Sequence, residues 1–113
     1  MKYEELRPIS RAEYLALVGG SDLDKASEAV LRIALNDEDP KWAEAECLRA
    51  LSDARVPVRL AAATALGHLA RRQKGLSPAT VSRLFALKSD PDIGGSVEDA
   101  LDDLVVFARP PAS

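Results

Sequence analysis

The chain has 113 residues, of which 47% are hydrophobic and 29% charged, with a formal net charge of −3. That length suits one domain with a buried core, and the composition is that of a folded chain rather than a disordered one. A single cysteine, Cys47, excludes an internal disulfide framework, no Cys/His grouping has zinc spacing, and no apolar run approaches the roughly 20 residues that span a bilayer.

Apolar residues recur at intervals of three and four almost throughout, which predicts an all-α fold. Ser10 is an N-cap candidate for a first helix through Leu15 and Val18, ended at Gly19-Gly20 by the left-handed conformation that glycine adopts at low cost. Ser21 or Asp22 opens a second helix that ends near Asn36. Asp39 can cap a third, with Pro40 at its first position, running to about residue 52. Asp53 and Pro57 mark the start of a fourth, which runs to about Arg72 before Gly75. Ser77-Pro78 repeats the cap-plus-proline signal for a fifth, to about Lys88, and Asp90-Pro91 or Asp92 opens a sixth that ends before Arg109-Pro110-Pro111.

Nineteen Ala and sixteen Leu against two Phe, two Tyr and one Trp imply a core of closely approaching helices. An internal repeat supports this. Val58, Ala62, Ala65, Leu66 and Leu69 align with Ile93, Val97, Ala100, Leu101 and Leu104 at an offset of 35, and the same step backwards reaches Val30-Leu31 and Ala34. The repeating unit is a helical hairpin, present about three times.

The segment Asp53-Ala-Arg-Val-Pro-Val58-Arg59-Leu-Ala-Ala62-Ala-Thr-Ala65-Leu66-Gly67-His-Leu69 resembles the second half of a HEAT repeat, with its acidic turn, Val-Arg pair, small residue and Ala-Leu-Gly. In the third unit Ile93-Gly94 replaces Val-Arg and Asp102 replaces the glycine. The resemblance implies a short right-handed α-solenoid of about three antiparallel hairpins, over residues 10–36, 40–73 and 77–108, within a single domain 1–109 followed by a frayed tail at 110–113.

Charge is segregated along the chain. Residues 54–89 carry seven Lys/Arg and no acid, and residues 90–108 carry six Asp/Glu and no base. Spacing of four places Glu98 over Asp102 and Asp99 over Asp103, an acidic face that can meet a basic partner or simply face water. Trp42 is the other candidate contact residue, since tryptophan is enriched at interface hot spots but also closes small cores. Arg55, Arg59, Arg71, Arg72, Lys74 and Arg83 form a competing basic group without interleaved aromatics, which disfavours nucleic acid; Arg59 also falls on the Val-Arg position of the HEAT pattern, which usually pairs with a turn acid. His68, with Thr64, Ala65, Arg71 and Arg72 at helical spacing, reads as a structural or surface histidine, and Cys47 as a buried packing thiol.

These residues carry no catalytic constellation, metal set or cofactor motif, so the expected function is non-catalytic protein binding. Small acidic HEAT-like chains resemble immunity proteins of bacterial toxin systems, which neutralise a cognate toxin domain by occlusion. The resemblance implies one protein partner, which an acidic surface suits if that partner is a basic toxin domain. An adaptor for a larger complex is the alternative. With no secretory leader in MKYEELRPIS, the expected location is the cytoplasm.

Overall fold

The computed structural model describes residues 6–107, so the expected tail at 110–113 lies outside the described residues. Six helices follow in order: α1 Arg11–Val18, α2 Leu23–Asn36, α3 Pro40–Ala50, α4 Val56–Gln73, α5 Pro78–Ala86 and α6 Gly94–Phe107, with no strand among the described residues. Four starts are closed by the side chains that the sequence signals: Ser10, Asp22, Asp39 and Ser77 each accept from backbone N–H groups of the first turn. Pro40 and Pro78 occupy first-turn positions, where a missing N–H costs nothing.

Two boundaries differ from expectation. Gly19 stays right-handed at φ −87°, because the end of α1 is closed from outside: Arg55 donates to the carbonyls of Val18 and Gly20, each at 2.6 Å. The left-handed position falls instead at the end of α4, on Lys74 at φ 57°, followed by Gly75 at φ 155°. The sixth helix begins later than expected. Asp90 caps the backbone N–H groups of Asp92 and Ile93, but residues 91–93 form a turn before α6.

The central helix α4 packs against α2 on one side and α6 on the other, while α1 lies on α2, α3 on α4 and α5 on α6. The repeat positions form this core. Val58, Ala62, Ala65, Leu66, Leu69, Ile93, Val97, Ala100, Leu101, Val30, Leu31 and Ala34 are all buried, and Leu104 packs partly buried against them. Burial at about 25 cal/mol per Å² of apolar surface makes these rows the main stabilising contribution. Gly67 faces α6 and leaves room for the Asp103 carboxylate: a Cβ there would lie 2.8 Å from Asp103 Oδ2 and at ordinary contact distance, 3.5 Å, from Ala100 Cα. Gly94 is the tighter position, at the entry to α6, where a Cβ would meet the backbone carbonyl oxygen of Lys88 at 2.6 Å.

Candidate functional site

The acidic helix divides into two parts. Glu98, Asp99 and Asp102 are exposed on α6, whereas Asp103 is half-buried and turned onto α4, where its carboxylate lies 3.5 Å from Arg71 Nη1. Asp103 is thus removed from the expected open face, because the absence of a side chain at Gly67 leaves room for it. Val105 and Val106, at 65% and 68% exposure, continue the outer side of α6 beyond the three free-standing carboxylates.

Trp42 sits elsewhere. Its ring is half-buried at the α1–α3 junction, edge-on to Tyr14 with centroids 5.7 Å apart and with the Arg11 guanidinium 4.2 Å from its centroid. Arg11 is in turn paired with Asp37 at 3.2 Å. The structure brings Trp42 together with Tyr14 and Arg11, and not with the α6 carboxylates.

The basic group is largely engaged inside the fold. Besides its carbonyl contacts, Arg55 pairs with Asp53 at 2.9 Å, a hydrogen bond that holds the Asp53 carboxyl below the usual aspartate range. Arg59 donates to the Asp53 carbonyl at 2.8 Å and pairs with Asp92 at 3.4 Å, and Arg72 donates to the carbonyls of Ala34 and Asp37 at 2.8 and 2.7 Å. Arg83 reaches Ser52 Oγ at 3.1 Å, and Arg71 contacts His68 Nδ1 as well as Asp103. Several of these bonds cross one repeat length. Arg55 to Gly20 and Arg72 to Asp37 both span 35 residues. Burial, then the Arg71 charge, lowers the His68 pKa, which favours neutral imidazole. Cys47 is a free, fully buried thiol whose pKa burial pushes up, followed by the charges of Glu46 and Glu44.

A feature that the sequence reading missed is Glu44. It is only 6% exposed on α3, and its carboxylate joins three elements: Oε1 accepts from Gln73 Nε2 at 2.8 Å, and Oε2 accepts from Thr80 Oγ1 at 2.6 Å, Ser77 Oγ at 2.8 Å and Ser77 N at 2.9 Å. Burial alone would raise its pKa. The donors Thr80, Gln73 and Ser77 outweigh that and hold it below the ordinary glutamate range. Glu44 lines a cleft of about 480 Å³ between α3 and the start of α5, walled by Ala45, Leu48 and Leu76, with Lys41 at its edge. The available signal was a glutamate between Ala43 and Cys47 on the inward face of α3.

Among the described residues no group of three or more His, Cys, Asp or Glu side chains is placed to hold a metal ion, and no helix is long and apolar enough to cross a membrane. The fold thus defines a small all-helical protein whose charged side chains tie helices together and leave a carboxylate face on α6.

No protein-family model matches the chain, and no curated protein matches it. Among solved structures it is similar to a chain in the crystal structure of a CDI complex from Cupriavidus taiwanensis LMG 19424, with a TM-score of 0.81 and 32% sequence identity over 95% of this chain and 97% of that one. At that identity and coverage the chain belongs to the same family as its counterpart in the CDI complex.

Proposed function

We propose that this protein is the immunity component of a contact-dependent inhibition (CDI) system, a non-catalytic inhibitor that binds one cognate toxin domain and occludes it. The similarity to a chain of a CDI complex carries this reading. Charge favours the inhibitor role over the toxin role. The sequence pI is about 5.1, Arg55 at the start of α4 and the four arginines on α4 and α5 are engaged within the fold, and Glu98, Asp99 and Asp102 face outward. The proposed contact surface is the outer side of α6, and a basic toxin surface would complement it and associate rapidly at low salt. Trp42 is proposed as a second contact through its exposed part.

The row α2–α4–α6, with α1, α3 and α5 each laid on its hairpin mate, supports the further reading of the fold as a short HEAT-like α-solenoid acting in the cytoplasm. Co-expression with a candidate cognate toxin domain tests the function. The expected result is restored growth and a one-to-one complex on size-exclusion chromatography. Continued toxicity without a complex would overturn the reading, and capture of a multisubunit assembly would favour an adaptor.

A further inference from the structure

Buried carboxylates are ordinarily ion-paired, because an uncompensated charge away from water is costly. Glu44 departs from this: all four of its donors are neutral groups of Gln73, Ser77 and Thr80, and no Lys or Arg lies within 4.0 Å among the described residues. The two oxygens are unequally used. Oε2 accepts three hydrogen bonds, whereas Oε1 accepts one and keeps a free acceptor position. The cleft that Glu44 lines is walled by Ala45, Leu48 and Leu76, and its volume of about 480 Å³ exceeds that of any single side chain.

We infer that the Glu44 cleft is an anchor pocket for one lysine side chain of a protein partner, its methylenes against Leu48 and Leu76 and its ammonium on Glu44 Oε1. A single open oxygen suits a compact ammonium, since an arginine fork draws its advantage from bonding both carboxylate oxygens. Lys41, one turn before Glu44, also lines the cleft and makes no ion pair with Glu44, so the incoming ammonium displaces no internal ion pair. No residue of α6 lines the pocket. The pocket chemistry stands independently of the immunity reading; only the owner of the lysine rests on it.

The test uses the whole protein and no toxin, so its failure is distinct from failure of the immunity reading. Nα-acetyl-lysine methylamide is titrated while the amide resonances of Leu76, Ser77 and Thr80 are followed by NMR, with the norleucine and arginine analogues as comparisons. Saturable shifts with lysine at millimolar affinity are expected, at least about tenfold weaker with norleucine and in Glu44→Gln, and weaker with arginine. If Glu44→Gln fails to fold by thermal melt, Ala45→Lys takes its place: Ala45 is exposed, and the added ammonium should compete for the cleft while leaving the Glu44 hydrogen bonds intact. Absence of saturable shifts, equal binding of norleucine, or undiminished lysine binding in a folded Glu44→Gln or Ala45→Lys variant would overturn the pocket. Equal or tighter binding of the arginine analogue would overturn its assignment to lysine.

Discussion

The arginines of α4 and the carboxylates of α6 look alike in sequence, each a run of one sign, yet they have opposite fates. Arg55, Arg59, Arg71 and Arg72 reach into neighbouring units and satisfy backbone carbonyls or acids there, whereas Glu98, Asp99 and Asp102 stay in water. A charge run thus says little about which charges remain available to a partner. What decides is whether unsatisfied helix ends and turns lie within reach of the side chain, and the long guanidinium stem on a central helix finds them on both sides.

The contrast can be broken most severely at Glu44, the acid that behaves like the arginines. Glu44→Ala should cost about 3 kcal/mol in denaturant unfolding, because buried donors of Thr80, Ser77 and Gln73 lose their acceptor. Its pH dependence has a definite sign. A carboxyl held below its ordinary value stabilises the fold fully above about pH 4.5 and loses that contribution as pH falls through the lower folded value. The stability gap between wild type and Glu44→Ala should therefore narrow in acid, and a gap independent of pH would show that Glu44 acts by packing alone.

Next, Arg72→Met should cost about 1 kcal/mol by uncapping the carbonyls of Ala34 and Asp37 at the end of α2. Arg55→Met should act in the same direction on α1, seen as a lowered melting temperature. Asp99→Lys combined with Asp102→Lys should leave stability within about 0.5 kcal/mol and slow association with the proposed toxin partner, most strongly at low salt. Asp103→Lys should instead be destabilising, since it sets a lysine against Arg71 beside Gly67. Equal stability effects at positions 99 and 103 would erase the division of the α6 acids. The smallest effect is expected on heparin: with its arginines engaged in the fold, the protein should elute at low salt.

Most of the architecture was legible in the sequence, because local chemistry writes it. Ser10, Asp22, Asp39-Pro40 and Ser77-Pro78 announce helix starts through hydrogen bonds made within three residues, and the 35-residue offset marks residues that are buried, Leu104 partly so. The end of α1 was misread at Gly19 because its closure depends on Arg55, 35 residues or more away. The same holds for the candidate site. Spacing placed Asp103 with Asp99 on one face, but the room above Gly67 on another helix redirected it, and Glu44 gained its importance from Gln73, Ser77 and Thr80, which no local pattern connects to it.

The side-chain bonds described above span at most 38 residues, about one repeat. A chain tied only between successive units never has to close a long loop before favourable contacts form. Folding can therefore spread outward from the α2–α4 pair, each unit docking on the one before it. Under the proposed immunity function, a newly synthesised chain would be competent to capture its target almost as soon as α6 is made.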